Sequence, residues 1–191
     1  MLSREIVLAF KRRHIEDTLA ELCLERGYRA TTVADISSRA HVSRATIYEH
    51  FQNREALFLS LLDRATKDLF DRVEAACASA GEDSGQRLEA GIGALLAWVA
   101  EEPPSAWACL VESLCATPES LRHYLQAIER FTALLAGAVP SEVPRPATTE
   151  ESLVGGVASL LSGLLRSGDA QHAPELAPQL LIFLRGPFLA A

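Results

Sequence analysis

An all-α fold in two parts, a small N-terminal head on a larger helical body, is what this sequence predicts. Apolar residues recur at helical spacing along nearly the whole chain, and no strand-like alternation survives a count. Glycine, proline and small polar residues punctuate that pattern into about nine helices. With 191 residues, 49% of them hydrophobic and 23% charged, the chain is of ordinary globular composition. The expected division is residues 1–54 for the head and residues 55–191 for the body.

In order, residues 1–10 read as an arm or as the first turns of a helix. Lys11 to Arg26 then reads as a helix, with Ile15, Leu19, Leu22 and Cys23 on one face and Gly27 closing it in the left-handed conformation. Thr32 can cap a second helix, on which Val33, Ile36 and Ala40 form an apolar stripe. His41 and Val42 make a corner, and Ser43 caps a third helix. There Ile47 and Phe51 face inward and leave Arg44, Ala45, Thr46, Tyr48 and His50 on other faces, a set rich in hydrogen-bonding groups and without a carboxylate. Two short helices so arranged suit a helix-turn-helix whose second helix enters a DNA major groove.

Asn53 can cap a long helix running from Arg54 to about Ala80, striped by Leu57, Phe58, Leu61, Leu62, Leu69, Phe70 and Val73 and joining head to body. The loop Gly81–Gly85 leads to a helix over Gln86–Glu101, and Pro103-Pro104 sets the start of the next, over Ala106–Ala116. Thr117-Pro118 opens a helix to about Val139. Pro140–Pro146, with three prolines, is a loop. Thr148 or Thr149 caps a helix over Glu150–Ser167, and Pro174 to about Leu184 is the last. The stretch Leu153–Leu165 is apolar nearly all round, so it must be buried on more than one face.

The wording TTVADIS, VSRATIYEHF and NREALF resembles the DNA-binding end of the tetracycline-repressor (TetR) family of bacterial transcriptional regulators, over about Arg12 to Leu61. His41 stands where that family often has glycine, and Glu49 occupies a variable position. The resemblance implies a homodimeric repressor on a palindromic double-stranded DNA operator, released by a small, largely apolar effector bound in the body. Arg44 is the expected base contact, its guanidinium fork matching guanine O6 and N7. Thr46 and Ala45 are expected to contact a thymine methyl, a base or a phosphate. Thr32, Ser43, Tyr48, His50 and Arg54 are carried over by position as phosphate or mixed contacts. The family's effector cavity maps to a region whose candidate lining here is Trp98, Trp107, Cys109, Glu112, His123, Tyr124 and Phe131. A four-helix dimer bundle would use Leu153, Val157, Leu160, Leu161, Leu164, Leu180, Phe183 and Leu184.

The net charge of −7 does not exclude DNA, because residues 1–55 carry nine Lys/Arg against eight Asp/Glu and the rest carry nine against 17. The acidity belongs to the body. None of the metalloprotease, serine-hydrolase, P-loop or dinucleotide motifs occurs, and the five histidines lack metal spacing. An enzyme, a metal and a cofactor are therefore not expected. Four cysteines without CxxC spacing read as small core residues in a reducing cytoplasm. No signal peptide or membrane span is expected. An effector-independent architectural or partner-regulated DNA-binding dimer, and a helical interaction module, remain as alternatives.

Overall fold

Side-chain caps start the short helices of the head. Thr32 Oγ1 accepts from the Asp35 amide (3.2 Å) while the Asp35 carboxylate accepts from the Thr32 amide (2.8 Å), a reciprocal box worth about 1 kcal/mol or more. Ser43 Oγ accepts from the Thr46 amide (3.0 Å) and Asn53 Oδ1 from the Ala56 amide (2.7 Å). The computed structural model describes residues 4–138 and 146–188. Its order is α1 (Arg4–Arg26), α2 (Val33–Arg39), α3 (Arg44–His50), α4 (Arg54–Ser79), α5 (Ser84–Glu101), α6 (Pro103–Leu110), α7 (Pro118–Ala138), α8 (Thr149–Ser167) and α9 (Ala177–Arg185). Short 3-10 turns lie at Glu112–Leu114, Ala170–Leu176 and Gly186–Phe188. Among the described residues every regular element is helical, and no helix is long and apolar enough to cross a membrane.

Two apolar cores organise these helices. Ile15, Leu19 and Leu22 of α1 pack with Ile36, Ile47, Phe51 and the first turns of α4 (Leu57, Phe58, Leu61, Leu62), joined by Ala108 of α6. The body core begins at Ala65 and gathers α4, α5, α7, α8 and α9 around Leu96, Trp98, Val99, Leu161 and Leu180. One helix, α4, therefore serves both cores and changes allegiance between Leu62 and Ala65. Each fully buried Leu, Ile, Val or Phe among these contributes about 1.5–3 kcal/mol relative to exposure.

Of the two forms expected before Lys11, the described residues take the helical one: α1 starts at Arg4, because no breaker interrupts it. Two other boundaries differ from expectation. The helix expected to run to Ala116 ends at Leu110, where Ser113 Oγ donates back to the Cys109 carbonyl (2.5 Å) and Glu112 turns inward in a 3-10 turn. Pro174 lies inside the Ala170–Leu176 turn and α9 begins after it, since proline has no N–H for a helix interior. The loop Pro140–Pro146 lies, except for Pro146, outside the described residues.

α8 is also less apolar than its composition suggested. Leu153, Val157 and Leu161 are buried in the core of their own subunit, as are Leu180 and Leu184 of α9, so these five are spent before any partner arrives. Leu164 is half-buried against the same core. Of the expected dimer contacts only Leu160 and Phe183 are exposed, at 54% and 42%. The exposed residues of α8 are Glu151, Ser152, Ser159, Leu160, Gly163, Arg166 and Ser167, and on α9 Ile182 is 75% exposed.

Candidate nucleic-acid interface

The corner between α2 and α3 is made by His41, whose φ of +53° is the one positive value among non-glycine residues described. Histidine tolerates this left-handed conformation better than most side chains. The Val42 amide donates to the Ser37 carbonyl (3.2 Å) and Ser37 Oγ donates to the Val42 carbonyl (2.7 Å), so the corner is pinned on both sides. That geometry buries Ile47 and Phe51 and turns the opposite face of α3 outward.

On that face Ser43, Arg44, Ala45 and Tyr48 are exposed, and Thr46 and His50 are half-exposed. Thr32 is exposed at the start of α2. Glu49 is exposed as well, so the surface does carry a carboxylate beside Tyr48. Ser43 and Thr46 share a hydroxyl contact (2.9 Å), which orients both at the leading end of α3.

Arg54 behaves differently from expectation. Its guanidinium lies over the Tyr28 ring (4.3 Å to the centroid) and donates to the carbonyls of Tyr28 (3.3 Å) and Thr31. It ties the α1–α2 corner to α4 and is committed inside the head. Arg12 is engaged too. It donates to the His50 carbonyl (3.2 Å) and Ser60 Oγ (2.6 Å) and lies over the Phe51 ring (4.5 Å), holding the end of α3 to α1. Nothing in the local sequence signals either role, because the partners lie 23 to 48 residues away. Beneath them the buried Glu16 carboxylate accepts from Ser60 Oγ (2.6 Å) and Arg64 Nε (2.7 Å), cross-linking α1 to α4.

The expected effector-lining residues divide. Trp98, Cys109, His123, Tyr124 and Phe131 line one body cavity of about 70 Å³, with Thr66, Leu69 and Leu161 completing its wall. His123 closes its polar end through Asp63 (2.7 Å), a pairing 60 residues apart that no spacing rule could find. Cys109, whose thiol burial pushes up to about 11, contacts Thr66 Oγ1 there. Trp107 and Glu112 do not line the cavity. They face the head, where Trp107 Nε1 donates to Glu112 Oε1 (3.2 Å) and that oxygen sits against Gly27. Gly27 ends α1 with φ +85°, and a Cβ there would stand 3.2 Å from the carboxylate. Arg29 adds a bond to the Cys115 carbonyl (3.0 Å), so α6 and the turn after it form the seat between head and body.

This is an all-helical chain with a helix-turn-helix head on a helical body that holds cavities. Residues 15–61 match the model of the bacterial regulatory proteins, tetR family. That match covers the helix-turn-helix head and the first turns of α4, so the head is of that family's DNA-binding type. It is 39% identical over 80 residues to the HTH-type transcriptional repressor KstR2 of Rhodococcus jostii (strain RHA1), a match covering 42% of this chain and 39% of the relative. The matches thus span only about two fifths or less of the length of the first curated relatives. Over the whole chain its fold is similar to the fatty acid degradation regulator FadR from Bacillus halodurans, with a TM-score of 0.80 at 18% identity, covering 92% of this chain and 95% of that one. FadR from Bacillus subtilis in complex with stearoyl-CoA is similar at a TM-score of 0.77 and 17% identity, covering 91% of this chain and 98% of that one.

Proposed function

We propose that this protein is a homodimeric transcriptional repressor that binds a palindromic DNA operator and is released by a small apolar effector. The observation that carries the reading is the outward face of α3. A capped helix presents Arg44, Ala45 and Tyr48 to solvent, while Ile47 and Phe51 fix its angle from behind. Arg44 reads guanine as a bidentate donor, and Ala45 and Thr46 supply apolar or mixed contacts. Ser43, Thr32, Tyr48 and His50 contact phosphates and set the register. Residues 1–54 act as the DNA-binding unit and 55–191 as the effector and dimer unit, with the first turns of α4 completing the head's core.

Two copies pair through the outer faces of α8 and α9. Ser152, Ser159 and Gly163 let a partner helix approach closely, and Leu160, Ile182 and Phe183 supply the apolar contact. A two-fold pairing sets two α3 helices on one face of DNA.

The effector enters the cavity lined by Trp98, His123 and Tyr124. At about 70 Å³ the cavity is small beside the roughly 300–1,000 Å³ of ordinary ligand pockets, so an occupant must displace its walls. Those walls include Thr66 and Leu69 of α4 and Cys109 and Leu110 of α6, the two helices that also enter the head's core. Displacing them tilts the head and spoils the spacing of the two α3 helices. The stearoyl-CoA bound by the Bacillus subtilis neighbour makes an acyl group a reasonable first effector class to try.

The test is fluorescence anisotropy with the duplex upstream of the protein's own gene and a scrambled control. Arg44→Ala is expected to lose about 1–3 kcal/mol of the preference between them. Equal loss on both duplexes would make Arg44 a phosphate contact, and no binding of either duplex at low salt would overturn the repressor reading.

A further inference from the structure

A second cavity lies beyond the first, separated from it only by Leu95, Phe131, Val154 and Val157, which line both. It measures about 90 Å³ and is walled almost wholly by apolar side chains, among them Val73, Ile92, Leu134 and Leu184. Gly91 lets α5 close against α4 at one wall, since a Cβ there would fall 2.8 Å from Cys77 Sγ.

One cation lines this cavity, Arg87 near the start of α5. Its Nε is buried and has no hydrogen-bond partner, and among the described residues Arg87 forms no ion pair. Its backbone is the engaged part, with its carbonyl accepting from Cys77 Sγ (3.4 Å) and its amide bonded to Asp83 (3.0 Å). The nearby Asp83 carboxylate is occupied in capping α5 through the Gln86 amide (2.8 Å). A buried donor of a charged group left unmatched costs more than a neutral one, and native proteins rarely retain one without a reason.

We infer that this cavity binds a short apolar carboxylate, its chain among the aliphatic side chains and its carboxylate accepting from Arg87 Nε and a neighbouring guanidinium nitrogen. A guanidinium edge offers two parallel donors at the spacing of carboxylate oxygens, and the low dielectric of an apolar wall strengthens both bonds. This deepens the effector reading and rests on it: the ligand is an anion-headed molecule whose head lies at α5 and whose chain presses on the wall shared with the cavity at His123.

The experiment titrates the full-length protein with octanoate and with its neutral counterpart octanamide. It uses wild type, Arg87→Met and Arg87→Lys, and reads thermal midpoint, calorimetric affinity and operator affinity in parallel. Octanoate is expected to bind wild type well ahead of octanamide, and Arg87→Met to weaken octanoate by about 10- to 100-fold while leaving octanamide unchanged. Arg87→Lys, which keeps a charge but not the fork, is expected to recover little of this. Without ligand, Arg87→Met should melt no lower than wild type, since it keeps the stem and removes an unmatched donor. A purely structural Arg87 would show the opposite. Equal binding of octanoate and octanamide, octanoate binding that survives Arg87→Met, or no octanoate binding at all would each overturn the site. If octanoate binds through Arg87 but operator affinity does not move, the site stands and the effector reading falls. If octanamide alone weakens operator binding, the effector reading stands and the anion site falls.

Discussion

Arg54 separates two roles that the same residue plays by position and by geometry. A phosphate contact would leave its guanidinium free at the start of α4, whereas here it bonds two carbonyls and covers Tyr28. Bonds from a charged donor are worth about 1.5–3 kcal/mol each when dry. Arg54 is half-buried, so water recovers part of that loss and about 1–2 kcal/mol remains for the two carbonyls together. The cation–π contact adds about 0.5–1 kcal/mol. Arg54→Ala should therefore destabilise the protein by about 1.5–3 kcal/mol in urea denaturation followed by circular dichroism. Arg54→Lys should recover little, because an ammonium cannot reach both carbonyls while lying flat on the ring. In DNA titrations Arg54→Ala should lower affinity through misplacement of α3, with the slope of log K against log salt unchanged. A lost phosphate contact would instead reduce that slope by about one. Unchanged stability together with a reduced slope would refute the inward role and return Arg54 to the DNA.

The other predictions rest on burial. Leu160→Glu places a charge on the exposed outer face of α8 and should give a folded monomer in analytical ultracentrifugation, with operator affinity largely lost; a persistent dimer would move the interface elsewhere. Leu161→Glu, one residue on but only 2% exposed, should instead fail to fold stably. For the thiols, burial first and the Glu112 charge second push Cys23 up to about 12, and burial pushes Cys109 up to about 11. Both should resist iodoacetamide at pH 8 while the exposed Cys115 reacts, read by mass spectrometry of the native protein. Because the folded values are raised, the native state holds these protons longer than the unfolded chain. That stability is complete below the ordinary thiol value of 9.0 and is lost as pH rises towards 11 and 12. Urea midpoints measured from pH 8 to pH 11 should fall, and less so in Cys23→Ala.

What could be read in the sequence was whatever depends on neighbours in the chain. Thr32, Ser43 and Asn53 bond amides three residues on, and Ile47 and Phe51 follow one helix face, so spacing alone predicts them. His41 at φ +53° shows that a corner can be recognised even where glycine is replaced, because the caps and stripes on either side define it. The candidate site was legible to the same extent. Which helical face points outward follows from periodicity, but which outward cation is free does not. Arg44 and Arg54 each stand first in a helix after a capping residue, and only the fold shows that one faces solvent while the other bonds Thr31. The same reason explains α8. An apolar run says how much surface a helix must bury, not whether its own subunit or a second one buries it, and here Leu153, Val157 and Leu161 go to the first while Leu160 stays exposed. Arg87 is the extreme case. In the sequence it is an ordinary arginine near a helix start, and its meaning comes entirely from the apolar residues of five helices that converge on it. A polar atom gains chemical significance when its surroundings remove the water that would otherwise answer it, and the Nε of the half-buried Arg87 is shut off in this way beside a cavity walled by residues from Val73 to Leu184.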